Sequence, residues 1–195
     1  MTLLQIMPEN APERVRVRTD DLDVIHNELL RIGVRLARWH AARRLPADAD
    51  DTTVMKAYQS HIDHLSAEGG YRIVDIVRMN PPPAGTTGQG RRTPPARDEL
   101  RQEHVHDDDL VRFVVAGTGC FSLHVAGQVY AVLCTAGDLL AVPGRTPHWF
   151  DAGARPNCTA IRFLRRTDRD AIRFLSDGIA SRFPTHDDLL ATPGD

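Results

Sequence analysis

Residues 103–125 read EHVHDDDLVRFVVAGTGCFSLHV. The apolar positions are largely β-branched or aromatic and the interruptions are glycines, the pattern of short strands broken by turns. His104 and His106 stand at i and i+2, so on a strand both imidazoles project to one face and could pinch a metal ion between them. QVYAVL, GDLLAVPG and CTAIRFL continue the series of short β-prone runs, and a third histidine, His148, follows one of them in VPGRTPHWFD. Such a series predicts a sandwich or barrel. A closed antiparallel barrel is the simplest way to bring His148 beside the other two. Three converging neutral imidazoles would suit Fe, Ni, Cu or Zn. The alternative is that His104 and His106 face solvent on an edge strand while His148 packs beside Trp149.

Working outward, Leu22, Ile25, Leu29, Ile32, Leu36 and Trp39 recur at three- and four-residue steps, which predicts an amphipathic helix from Leu22 to Ala42 capped by Asp20 or Asp21. A second helix is predicted from about Asp51 to Glu68, with Val54, Tyr58, Ile62 and Leu65 on one face and Gly69-Gly70 as its stop. YRIVDIVRM (residues 71–79) reads as a strand, and residues 80–98 as a Pro/Gly-rich surface loop. DRDAIRFLSDGIASRFP (168–184) returns to a short helical pattern and leads into a polar, frayed tail. The expected organisation is one domain over residues 1–195: a helical part over 1–70, a β-barrel over 71–165, and a C-terminal helix and tail over 166–195.

Composition narrows the function class. The 195 residues are 42% hydrophobic and 26% charged with a formal net charge of −2, an ordinary soluble globular balance with no positive field to collect nucleic acid or anionic lipid. No stretch reaches the roughly 18 apolar residues of a membrane span, and the N-terminus lacks a basic start followed by an apolar run, so a cytoplasmic protein is expected. Cys120, Cys134 and Cys158 are odd in number, have no CxxC spacing, and read as reduced, buried thiols. His61 and His64 lack the glutamate and the i, i+4 spacing of a zinc HExxH helix and read as a solvated helix face. His124 reads as a hydrogen-bonded histidine of the core or of the site's surroundings.

The spacing of His104-x-His106, Gly117, Gly137, Pro143 and His148 resembles the two cupin motifs. More narrowly, residues 70–79, 103–125 and 128–164 resemble the acireductone dioxygenase family, with similarity from about Trp39 to about Phe183 and VPGRTPHWFD as its most specific part. The resemblance implies a mainly β fold, a cupin-type double-stranded β-helix (jelly-roll barrel) with flanking N-terminal helices and a short C-terminal helix. It also implies an oxygenase using Fe(II) or Ni(II) that opens an enediol with dioxygen. Carried over by position, it places metal ligands at His104, His106 and His148 and a substrate-contacting, catalytic arginine at Arg112. Leu110, Arg112, Trp149 and Phe150 would then line the substrate pocket at the barrel mouth. A structural salt bridge to Asp138 or Asp151 is the competing role for Arg112.

Two positions depart from the family pattern. The Pro-x-Gly of the second motif reads Pro143-Gly144-Arg145, and the place of a glutamate ligand, four residues after His106, holds Leu110. Leucine cannot coordinate a metal. Of the neighbouring acids, strand parity with the histidines favours Asp108 as a substitute and disfavours Asp107 and Asp109, although Asp108 falls two residues short of the slot. A three-histidine site is therefore the favoured reading. Three facial imidazoles leave three octahedral positions open and no protein anion to offset the ion's charge, which would favour a chelating anionic substrate. The expected function is a dioxygenase acting on a small enediol- or diketone-like substrate, in a monomer or homodimer. A redox-inactive isomerase, lyase or hydrolase and a non-catalytic ligand-binding cupin are the alternatives.

Overall fold

One strand serves two sheets in this protein: Leu110–Val125 pairs through its first half with one set of neighbours and through its second half with another. The computed structural model describes residues 1–40, 45–46, 49–79, 97–165, 172–175 and 178–191. In chain order the elements are β1 (Leu3–Pro8), β2 (Val17–Thr19), α1 (Leu22–Leu30), β3 (Arg35–Arg38), α2 (Asp51–Ala57), α3 (Gln59–Gly69), β4 (Ile73–Met79), α4 (Arg97–Leu100) and β5 (His104–Val105). There follow β6 (Leu110–Val125), β7 (Gln128–Thr135), β8 (Asp138–Val142), β9 (His148–Asp151), β10 (Cys158–Leu164), β11 (Arg173–Phe174), a 3-10 turn at Ile179–Arg182 and α5 (His186–Ala191).

The first sheet runs β11-β5-β9-β6-β7-β1-β2, and the second joins β3, β8, β6, β10 and β4, with every pairing antiparallel. The changeover falls at Gly117, where φ is +74° and an added Cβ would lie 1.7 Å from the Asn157 carbonyl oxygen. Only glycine fits that position. Opposite it, β10 shifts register between Thr159 and Ala160, a bulge that lets β6 leave one sheet for the other.

The inner faces of both sheets share one core that includes Leu4, Leu110, Phe121, Val132, Leu140 and Val142. The outer face of the second sheet is covered by α2 and α3, where Phe113, Ile161 and Phe163 meet Val54, Tyr58 and Ile62. Burying a ring such as Phe113 contributes about 1.5–3 kcal/mol. The outer face of the first sheet carries Cys120, Leu133 and Trp149 against Ile179, Phe183 and Leu189. Strands buried on both faces read as near-continuous apolar runs, which is why QVYAVLCT shows no clean alternation.

Several expectations are corrected. Residues 1–70 are not simply helical, since β1, β2 and β3 lie there and β1 pairs with β7 along its whole length. The first helix does start behind Asp21, whose side chain accepts from the Asp23 and Val24 amides, but it ends at Leu30. Gly33, at φ +74°, turns the chain into β3, which pairs with β8. Leu36 and Trp39, read as one helical face, thus enter two different cores. Backbone pairing with a distant strand overrides the local period. The second helix breaks at Tyr58, whose ring packs edge-on against Phe113 at 4.6 Å, and stops at a left-handed Gly70 as expected.

The strand at YRIVDIVRM is present as β4. Most of the Pro/Gly-rich loop, residues 80–96, lies outside the described residues, and its last residues begin α4. In the C-terminal stretch, Arg173–Phe174 pairs with β5 as a strand rather than continuing a helix, and α5 buries His186 and Leu189 where a frayed tail was expected. No helix among the described residues is long and apolar enough to cross a membrane.

The unusual Pro143-Gly144-Arg145 turn has a physical signature: Arg145 sits at φ +64°, a left-handed conformation that suits glycine. Among the described residues its side chain makes only an exposed pair with Asp107, 3.3 Å away. Arg145→Gly is therefore expected to stabilise the fold by about 1 kcal/mol, the left-handed penalty less glycine's entropy, as a raised urea midpoint at unchanged slope.

Candidate metal centre

The antiparallel register sets His104 of β5 directly opposite His148 of β9, and His106 follows two residues on from His104. Their ring centroids lie 4.5 Å (104–148), 5.3 Å (104–106) and 5.3 Å (106–148) apart. One nitrogen from each ring can be chosen so that all three lie within 4.8 Å of one another. The rings are buried, with His104, His106 and His148 exposed by only 1%, 8% and 3%.

Two of the rings are oriented by backbone. The Nδ1–H of His104 donates to the Gln102 carbonyl at 2.7 Å, and that of His148 to the Thr146 carbonyl at 2.8 Å. Each bond puts the proton on Nδ1 and leaves the lone pair on Nε2, the arrangement seen for metal-binding histidines. His148 Nε2 is buried without a hydrogen-bond partner. A buried polar atom left in this state is costly unless something binds it. The donor set therefore fits a divalent transition ion. Burial lowers the proton affinity of His104, and burial together with the His104 ring pushes His148 down to about 3, so both are neutral and able to coordinate at neutral pH.

This has a consequence for acid stability. The unfolded chain binds a proton at His148 as pH falls below 6.5, whereas the folded chain does so only near pH 3, so stability falls with pH across that window. One such group contributes a slope of up to about 1.4 kcal/mol per pH unit. Metal-free wild type is expected to lose about 2 kcal/mol more than His148→Gln between pH 6.5 and 5, measured by urea unfolding.

The acids beside the cluster are engaged elsewhere. Both Asp108 oxygens are taken, Oδ1 by Arg165 Nη1 at 2.7 Å and the Asp109 amide at 2.9 Å, Oδ2 by the Arg165 amide at 3.0 Å. Burial opposes the charge on Asp108, but the Arg165 hydrogen bonds outweigh it and hold the carboxyl below its usual range. Asp109 accepts from the Gly144 amide and pairs with Arg165, and Asp107 faces Arg145. Among the described residues no carboxylate joins the histidine group. Asp108 is thus corrected from a possible ligand to an anchor of the turn before β6.

Leu110 is 7% exposed, stands opposite Val142 and packs in the inner core. Phe150 also packs against that core, its ring 4.7 Å from Phe121. Trp149 does not share this face: it lies on the outer side of β9, against Phe183 at 5.8 Å, in the wall of a separate cavity of about 430 Å³. Its placement in the substrate pocket is corrected by strand alternation, since consecutive residues of β9 point to opposite faces.

Arg112 stands two residues along β6 from Leu110, on the same face, and its charge is close enough to help depress His148. The carboxylates offered as its structural partners are held by other groups, Asp138 by Arg38 at 3.1 Å and Thr2 at 2.6 Å, Asp151 facing Arg101 at 3.8 Å. Beside Arg112, directly across the β6–β10 pair, is Arg162, gripped by Asp75 of β4 through bonds of 2.8 and 2.6 Å. The only trace of this pair in the sequence is one charge of opposite sign inside each of two apolar runs, TAIRFL and IVDIV.

The remaining histidines lie elsewhere. His124 is on the outer face, bonded to Glu103 and Glu9 at 2.7 Å each; burial opposes its charge, but these carboxylates raise its proton affinity. His61 is not merely solvated, for its ring lies 5.0 Å from Trp39. The three cysteines are buried without disulfides, and burial pushes the Cys120 and Cys158 thiols up to about 12.

An antiparallel barrel with a buried three-histidine cluster at the joint of β5 and β9 defines a protein of cupin type. The family model described as ARD/ARD′ matches residues 4–171. Acireductone dioxygenase 1 of Nocardia farcinica is 44% identical over 97% of this chain and 100% of its own, and acireductone dioxygenase of Parvibaculum lavamentivorans 43% identical over 94% and 96%. A solved acireductone dioxygenase from Bacillus anthracis, with a cadmium ion in its active center, matches at a TM-score of 0.69 over 89% of this chain and 98% of that one, at 23% identity, which shows a shared fold. The chain belongs to the ARD/ARD′ family and is an acireductone-dioxygenase-like oxidoreductase.

Proposed function

We propose that His104, His106 and His148 hold one Fe(II) or Ni(II) ion without a protein carboxylate, and that the enzyme uses dioxygen on a small chelating substrate of the enediol or diketone type. The observation that carries this reading is the set of buried imidazole nitrogens within 4.8 Å, with Leu110 in the inner core and every neighbouring aspartate otherwise engaged. The names of the relatives and the cadmium in the solved neighbour support it. When bound, such an ion supplies a template for an anionic chelate and, as iron, access to dioxygen chemistry.

The protein's own part is electrostatic and steric. Arg112 is the group to pair with an anionic oxygen of the substrate, where a charge-assisted hydrogen bond in a dry site is strongest. Leu110 and Phe150 form the apolar wall that keeps water out. Iron-loaded protein given a synthetic acireductone is expected to consume oxygen as the enediol absorbance decays, followed with an oxygen electrode and by ultraviolet absorbance. Decay of the enediol without oxygen uptake would instead support the Lewis-acid alternative. Binding without decay would support a non-catalytic protein.

A further inference from the structure

The geometry points to Arg165 as a positioning residue for the histidine cluster: through Asp108 and Asp109 it fastens the turn after His106 to the loop before His148. This inference rests on the three-histidine reading and concerns what keeps those rings in place when position 110 offers no ligand.

His104 and His106 come from a segment with little pairing of its own, whereas His148 opens β9, which pairs with β6 over all four of its residues. β5 is two residues long, pairs with the equally short β11, and meets β9 only at His104 and His148. His106 lies beyond β5, at the head of the turn that leads to β6. A carboxylate ligand at position 110 would tie the end of that turn to the ion; a leucine cannot.

The tie is made from the other side. Arg165, just past the end of β10, binds Asp108 with both its amide and its guanidinium, and reaches Asp109 Oδ2 at 2.8 Å with the other terminal nitrogen. Asp109 Oδ1 accepts from the Gly144 amide at 3.0 Å, and the Arg145 amide donates to the His106 carbonyl at 2.7 Å. The two loops are in close approach, since a Cβ on Gly144 would lie 2.7 Å from the Asp107 carbonyl oxygen. Arg165 is itself fixed: its Nε donates to the Gly69 carbonyl at 2.8 Å and its guanidinium lies 4.8 Å from the centre of the Tyr71 ring. Arg165 therefore connects the end of α3 to the turn after His106, and Asp109 carries that tie on to Gly144 in the loop before His148. Bridging two carboxylates from the fixed fork of one guanidinium is something arginine supplies and lysine reproduces only in part.

The test is Ni(II) affinity, by competition with a chromophoric chelator, for wild type, Arg165→Met, Arg165→Lys and Asp109→Asn. Arg78→Met serves as a control that breaks an arginine bridge to Asp51 on the outer face of the barrel. Arg165→Met is expected to weaken Ni(II) binding by ~10- to 100-fold, the usual cost of removing a group that orients a ligand. Arg165→Lys should recover part of the loss. Asp109→Asn, which keeps an acceptor for Gly144, should show a smaller loss in the same direction, and Arg78→Met should stay within about twofold of wild type. Wild-type affinity in Arg165→Met, or an equal loss in Arg78→Met, would overturn the inference while leaving the three-histidine reading intact. Failure of wild type to take up one Ni(II) per chain would overturn that reading and this inference with it.

Discussion

His148→Ala is expected to lose stoichiometric Fe(II) and Ni(II) binding, with affinity down at least ~100-fold, while the chain stays folded. The size follows from the small donor set: removing one of three imidazoles leaves two ligands, and with Asp108 committed to Arg165 and Asp109 to Gly144 and Arg165, no neighbouring carboxylate among the described residues is free to take the place. Loss of a ligand is more severe than loss of a group that merely orients one, which already costs ~10- to 100-fold. Folding should survive because the substitution also removes the buried, unpartnered Nε2 atom, which offsets part of the lost packing. Metal content after dialysis and far-ultraviolet circular dichroism, measured together, check both halves.

Leu110→Glu should make stability depend on metal far more strongly than in wild type. Without metal, a carboxylate at this 7% exposed position enters an apolar core beside Val142, and an unpaired buried charge costs about 3–5 kcal/mol unless the group takes up a proton. With metal, the same carboxylate can reach an ion held by His106 and offset its charge, so binding should tighten as the penalty is relieved. The check is the difference in melting temperature between metal-loaded and chelator-treated protein, which should be several degrees larger in Leu110→Glu than in wild type. An equal difference in both would show that position 110 does not face the ion.

These expectations depend on features that were unevenly legible in the sequence. The His-x-His pair could be read because period-two alternation places both rings on one face however short the strand. His148 needed the longer motif, since what sets it opposite His104 is the β5–β9 register. The barrel could be read from its short strands, but β1 could not: six residues at the N-terminus, apolar throughout except Gln5, carry no period, and only pairing with β7 shows their place. β3 was hidden because Leu36 and Trp39 happen to continue the spacing of α1, and nothing local reveals that Gly33 turns the chain. Trp149 was misplaced because a motif marks a segment, not a face. The network around Arg165 was out of reach, because an aspartate run reads as solvated until the partner arriving from the end of β10 is seen.

The most direct measurement is an anomalous difference map from crystals of the wild-type protein loaded with Ni(II). The account predicts a single strong peak per chain at about 2.1 Å from one nitrogen each of His104, His106 and His148, an imidazole–metal distance, with Leu110 beside it and no protein oxygen bound. A peak that omits any of the three rings, or an aspartate drawn into coordination in place of its bond to Arg165, would contradict it.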